Sequence, residues 1–169
     1  MKTLILMRHA KSDRPEGIED FDRPLSERGT RGAQAVGAWL RDKGHLPQKA
    51  LVSASHRTRE TWEALGLEDD CPVRLTKELY DAASGQVLGA ITRQEANTLL
   101  VLGHNPSIES LGAHLLREAD VPEDLARWKP GTVAVIEFDI EDWKAIGTTP
   151  GRLADHATPK GLGVTADAE

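Results

Sequence analysis

Cysteine is almost missing from this 169-residue chain; Cys71 is the only one. That excludes an internal disulfide and any cysteine-cluster metal site, and it makes a reducing compartment the expected setting. Aromatic residues amount to 4%. Trp39, Trp62, Trp128 and Trp143 are spread along the chain, which reads as packing rather than as a base-stacking platform. Positive charge is not in excess. The net charge is −6, so the surface as a whole is not built to coat nucleic acid. No apolar run reaches membrane-spanning length. The opening "TLILM" is too short for a signal-peptide core and runs into charge, so no export is expected and a cytoplasmic location is the default. A Gly-x-x-x-x-Gly-Lys loop is absent, which excludes Walker-type nucleotide machinery.

What is present is an ordinary globular composition, 39% hydrophobic and 28% charged, at a length that fits one domain with a sizeable core. Leu4 to Met7 reads as a short buried strand. The polar stretch Ala10–Pro24, with Pro15, Gly17 and Pro24, is a long loop, and long loops in compact domains are often functional. Ser26 is an expected N-cap for a helix running to about Lys43, with Ala33, Val36 and Leu40 on one face and Gly44 as its stop. Lys49–Ser53 is a second strand. Ser55 caps a short helix to about Leu65. Val73–Leu75 is a short strand and Ser84 to about Arg93 a helix. Asn97–His104, "NTLLVLGH", holds the strongest buried-strand run. Asn105 then caps a helix to about Arg117, with Pro106 at its first position. Thr132–Phe138 is a strand, with Trp143–Thr148 expected to pair with it as an antiparallel edge.

This alternation predicts an α/β domain, a three-layer α/β/α sandwich with a mainly parallel sheet covered on both faces. The catalytic domain is expected over residues 1–149. The polar segment 150–169 is expected as a tail that frays or lies on the surface.

Three strand ends carry the chemistry. The first ends in Arg8-His9, the second in "SASHRTRET" with Arg57, and the central one in His104 just before a capped helix. In a parallel sheet these ends share one edge, where ligands bind. Two arginine forks and nearby helix N-termini suit a phosphoryl group. Neighbouring cations hold His9 neutral, and neutral imidazole can attack phosphorus to give a covalent phosphohistidine. Arg8, Arg57 and His104 would then stabilise charge on the equatorial oxygens. No metal and no organic cofactor is called for, because the pocket lacks the clustered carboxylates of a two-metal site.

Four ordered pieces, "LMRHAKS", "DFDRPLSERG", "SASHRTRET" and "VLGHNPSIE", make the chain resemble the histidine phosphatase superfamily, with a phosphoglycerate mutase-like fold, and within it the small SixA-type phosphohistidine phosphatases. The resemblance implies His9 as the phosphorylated nucleophile and Arg8, Arg57 and His104 as the rest of the phosphate pocket. Ala10 matches the SixA-type branch, where the wider superfamily commonly has Gly. Many relatives carry a Trp shortly after the "KS" pair; here Asp13-Arg14-Pro15 stands instead. For the general acid that larger members use, Glu78 in "KELYD" lies in the matching region, with Asp81 as second choice. The smallest relatives manage without one.

The bland readings stand beside these. Lys11 and Ser12 are candidate phosphate contacts, although a loop lysine is usually solvated. Arg23 is expected to pair with Asp20 or Asp22, or to line the pocket mouth. His45, His56, His114 and His156 read as structural or exposed, Arg59 as a surface residue, and Cys71 as no nucleophile. The leading expectation is a monomeric phosphatase acting on a phosphorylated substrate, a protein phosphohistidine first of all, with neither nucleic acid nor membrane as partner. A small-molecule phosphomonoesterase is the alternative enzyme. A phosphate-recognition module without turnover is the alternative class.

Overall fold

Strand β1 (Lys2–Arg8) is the axis of the molecule, which in the computed structural model is described over residues 1–165. Its apolar residues leave no face to water. Leu4 and Leu6 enter one hydrophobic cluster, Ile5 and Met7 the other. A strand with both faces buried needs helices on both sides, and the chain supplies two per face. Helices α1 (Glu27–Asp42) and α2 (His56–Leu65) cover the Ile5/Met7 face, while α3 (Ser84–Thr92) and α4 (Ser107–Leu115) cover the Leu4/Leu6 face.

The remaining strands are β2 (Lys49–Ser53), β3 (Val73–Thr76), β4 (Thr98–Gly103), β5 (Val133–Phe138) and β6 (Arg152–Ala157), arranged β3-β2-β4-β1-β5-β6. The first four in that order run parallel; β5 is antiparallel to β1 and β6 to β5. The layered, mainly parallel α/β expectation is met. Arg8 lies opposite Gly103, and Val52 opposite Leu102, so β1, β2 and β4 finish on one edge.

Backbone contact, not only side-chain packing, locks this edge. A Cβ on Gly37 of α1 would stand 2.0 Å from the Leu65 carbonyl oxygen of α2, and one on Gly29 would stand 1.9 Å from that of Lys11. Only glycine permits either approach. Ser26 caps α1 by accepting from the Gly29 N–H at 3.0 Å, and its own N–H donates to Lys11 O at 2.9 Å. The loop after β1 is thereby fastened to the start of α1.

Two expectations fail at the C-terminal side. Trp143–Thr148 is not a strand. Trp143–Ala145 form a tight 3-10 turn, capped by the Asp142 carboxylate on the Lys144 N–H, with Trp143 fully buried and its Nε1 donating to Ala96 O at 2.7 Å. The edge strand is β6, in the segment expected as a loose tail. Its local pattern is not that of a strand, because its register on β5 slips by one residue: Val135 faces Asp155 but Ile136 faces Leu153. That slip turns Leu153 and Ala157 toward opposite cores, which destroys the period-two signature. Beyond it, residues 158–164 are held by turn bonds such as Leu162 N–H to Thr158 O, 3.0 Å. Residues 166–169 of the expected tail lie outside the described residues.

A smaller shift occurs at α4, which starts at Ser107 instead of Pro106 and ends at Leu115 instead of Arg117. Asn105 still serves its entry, since its Oδ1 accepts from the Glu109 N–H at 3.3 Å. No described helix is long and apolar enough to cross a membrane.

Candidate active site

His9 follows β1 directly, and the sheet fixes its backbone from both sides. Its N–H donates to Gly103 O at 3.0 Å, and its carbonyl accepts from the Gly131 N–H at 2.8 Å. The next N–H, of Ala10, donates to Thr61 Oγ1 on α2 at 3.1 Å. The imidazole is 7% exposed. Its Nδ1 lies 2.7 Å from the Ala10 carbonyl oxygen. A carbonyl only accepts, so Nδ1 carries the proton and Nε2 keeps its lone pair. Burial, above all, pushes the ring's pKa down to about 3, with His104, Arg8 and Arg57 adding to the shift and the Ala10 carbonyl opposing it. His9 is therefore a neutral base at any ordinary pH.

Arg57 stands in the first turn of α2, buried, and reaches across the cleft. Nη1 donates to Asp20 O at 2.7 Å, Nη2 lies 3.2 Å from Asp20 Oδ2, and Nη2 also lies 3.3 Å from His104 Nδ1. Arg8 donates from Nη1 to Trp128 O at 2.8 Å, a carbonyl that Asn105 Nδ2 also meets at 3.0 Å. The Nε atoms of Arg8 and Arg57 are buried without any hydrogen-bond partner. A buried donor left unpaired is costly, so these two N–H groups are ready for an acceptor.

His104 follows β4. Its Nε2 is 2.8 Å from the Oγ of Ser53 at the end of β2, and its ring centroid is 5.3 Å from that of His9. Burial first, then Arg57, pushes its pKa down to about 4. The Ser53 hydroxyl both donates and accepts. Arg57 Nη2 only donates, so Nδ1 keeps its lone pair and Nε2 carries the proton toward the Ser53 hydroxyl.

The cleft, about 360 Å³, is lined by Arg8, His9, Arg57 and His104 together with Lys11, Ser12 and Arg23. Every one of the six leading sequence candidates is brought together here. Glu78 is not. It sits in a turn after β3 and its carboxylate pairs with Arg93; neither Glu78 nor Asp81 lines the cleft. The carboxylate that does line it is Asp20, in a short 3-10 turn (Asp20–Asp22). Asp20 Oδ1 is 3.0 Å from Arg23 Nη1, and Oδ2 accepts from Tyr80 Oη at 2.6 Å. The Tyr80 hydrogen bond, followed by Arg23 and Arg57, holds this carboxyl well below the usual range, against its partial burial. Arg23 fulfils both of its expected readings, pairing with Asp20 and lining the mouth, while Nη2 donates to Ser12 Oγ at 2.5 Å. The sequence points to Asp20 only as a partner for Arg23 and gives no role to Tyr80 or Ser53, although "DFDRPLSERG" and "SASHRTRET" contain two of the three. Among the described residues, no three His, Cys, Asp or Glu side chains are grouped to hold a metal ion.

The chain has counterparts among known proteins. Residues 4–135 match the family model for the histidine phosphatase superfamily (branch 1), and the chain belongs to that superfamily. The uncharacterized protein Rv1276c of Mycobacterium tuberculosis is 45% identical over 107 residues, which are 62% of this chain and 66% of that one. The chain thus spans just under two thirds of that curated relative. Among solved structures, a protein assigned as the phosphohistidine phosphatase SixA from Nakamurella multipartitia is 34% identical with a TM-score of 0.81, covering 94% of this chain and 96% of its own. A SixA-assigned protein from Agrobacterium tumefaciens is 26% identical with a TM-score of 0.79, covering 94% and 98%.

Proposed function

We propose that the protein is a cofactor-independent phosphatase that removes phosphate from protein phosphohistidine through a covalent intermediate on His9. The observation that carries this reading is the state of His9: buried, neutral, with its Nε2 lone pair free, beside two arginines whose Nε–H groups lack partners. Nε2 attacks phosphorus in line while the bond from phosphorus to the leaving nitrogen breaks, its electron pair staying on a substrate ring that already carries a proton from solvent on its other nitrogen and so departs as neutral imidazole. Arg8 and Arg57 hold the equatorial oxygens. His104 accepts from Arg57 at Nδ1 and donates from Nε2 to the Ser53 hydroxyl, and so holds the Arg57 guanidinium in place. Water then attacks the phosphoryl group on His9, releasing phosphate and restoring the imidazole, and the water's proton passes to solvent.

The choice of leaving group follows from the acids available. Asp20 is held ionised and has no proton to give, and Glu78 is engaged outside the cleft. A site without a placed acid favours a leaving group that needs little protonation. Imidazole, with an intrinsic pKa of roughly 6.5, departs far more readily than an alkoxide. The open, shallow cleft is compatible with a side chain presented by a protein.

The test is to incubate wild type and His9→Ala with a histidine-phosphorylated phosphotransfer domain and with an aryl phosphate. Wild type is expected to release phosphate from the phosphoprotein and to trap phosphorus as an acid-labile, base-stable adduct. Equal, slow release by both proteins from both substrates would sink the proposal. Faster turnover of small phosphate esters than of the phosphoprotein would move the assignment to the small-molecule alternative, and tight binding without an adduct to a recognition module.

A further inference from the structure

Beside the phosphoryl cleft lies a second, wider groove of about 970 Å³. Lys11 and Pro130 line both, so the two are neighbours. The groove gathers five cations from four separate parts of the chain: Lys11 after β1, Arg28 in the first turn of α1, Arg127 and Lys129 before β5, and Lys160 in the turn after β6. Two carboxylates, Glu123 and Asp124, share its rim. None of the five cations forms an ion pair with a described carboxylate. In a chain of net charge −6, a patch of cations with no ion-pair partner among the described residues, beside the catalytic cleft, is a local excess.

The frame that carries these side chains is rigid. Arg127 and Lys129 flank Trp128, which is buried, donates from its backbone N–H to Glu109 Oε1 at 2.7 Å and accepts from Arg8 at its carbonyl. The backbone of Lys11 lies close against that of Gly29, the residue after Arg28. Lys160 projects from a turn whose Pro159 packs on Gly32 and Gly131: a Cβ at those glycines would stand 3.2 and 2.6 Å from Pro159 carbons. Charges held on fixed backbone lose little freedom when they meet a ligand. The volume is at the upper end of a small-molecule site, and the groove is open to solvent. An extended chain fits such a shape better than a compact metabolite.

We infer that this groove binds an acidic segment flanking the phosphohistidine of the protein substrate, so that Arg28, Arg127, Lys129 and Lys160 select which phosphoproteins reach His9. This rests on the proposed phosphohistidine phosphatase activity. It adds a second determinant to it, one in which phosphate chemistry is supplied by the cleft and partner choice by the groove.

The experiment uses two synthetic peptides carrying the same phosphohistidine, one flanked on both sides by Asp and Glu, the other by Asn and Gln, with free phosphohistidine as a third substrate. The enzymes are wild type and Arg127→Ala/Lys160→Ala, two exposed positions outside the cleft. Wild type is expected to favour the acidic peptide about tenfold in kcat/KM, the size two well-placed surface ion pairs supply. The preference should sit in KM, shrink as NaCl is raised, and disappear in the double variant, which hydrolyses the neutral peptide and free phosphohistidine as fast as wild type. Equal rates on the two peptides with wild type would overturn the groove proposal while leaving the phosphatase reading intact. Failure of wild type to hydrolyse either peptide, alongside brisk turnover of an aryl phosphate, would overturn both. An acidic preference that survives in the double variant would also refute this assignment.

Discussion

Acidification should weaken the fold through the two active-site histidines, and the size of the effect follows from their burial. The folded protein holds His9 at about 3 and His104 at about 4, against 6.5 for an unburied ring. Below pH 6.5 the unfolded chain binds protons on both rings that the folded chain refuses. Stability therefore falls as the pH drops through that window, and the loss stops growing only when the folded values are reached. Integrated from pH 7 to pH 5, each ring contributes a loss of about 2 kcal/mol, about 4 kcal/mol together. Against a total stability of about 5–15 kcal/mol this is large. The assay is urea unfolding at the two pH values for wild type, His9→Asn and His104→Asn. Each variant lacks one titrating ring, so its loss between pH 7 and 5 should be smaller than wild type's by about 2 kcal/mol. Comparing losses cancels every other group and any change in baseline stability. If all three proteins lose the same amount, the rings are not held neutral by burial, and the argument for a neutral His9 falls with them.

Asp20→Asn keeps acceptors for Arg57 and Tyr80 but removes a negative charge from the cleft. Vanadate should bind about fivefold more tightly, on the order of 1 kcal/mol of relieved repulsion; weaker inhibition would mean that the charge is needed to position Arg57. Gly29→Ala forces a methyl into the Lys11 carbonyl and should destabilise the protein by about 1–3 kcal/mol or more in thermal unfolding. Gly89→Ala, in α3 with open space around it, should instead stabilise by about 0.5–1 kcal/mol; similar effects at both sites would contradict the packing described. Glu78→Gln should change kcat on a phosphohistidine peptide by less than about twofold, whereas a drop of about a hundredfold would restore Glu78 as a general acid.

What could be read from sequence was what local pattern encodes. The uninterrupted apolar run of β1 and "NTLLVLG" announces strands buried on both faces, and their endings carry the chemistry to one sheet edge. Arg8, His9, Arg57 and His104 converge as the parallel arrangement requires. The failures are long-range or conformational. Asp20 enters the cleft because Tyr80, sixty residues away, donates to it, and no local signal records such a pairing. Glu78 was chosen by neighbourhood, but a turn after β3 points its carboxylate to Arg93. A one-residue slip in register masked β6, and Trp143 read as strand although its indole serves as a plug in the core.

The short contact between His9 Nδ1 and the Ala10 carbonyl also has a consequence for regiochemistry. A ring anchored through Nδ1 offers phosphorus only Nε2, so the proposed intermediate is the tele isomer of phosphohistidine. The pros isomer would require the imidazole to turn over, giving up that bond inside a buried, cation-lined site. The two isomers have distinct phosphorus and ring-proton resonances, so a single NMR spectrum of the trapped enzyme reads out which nitrogen the backbone left free.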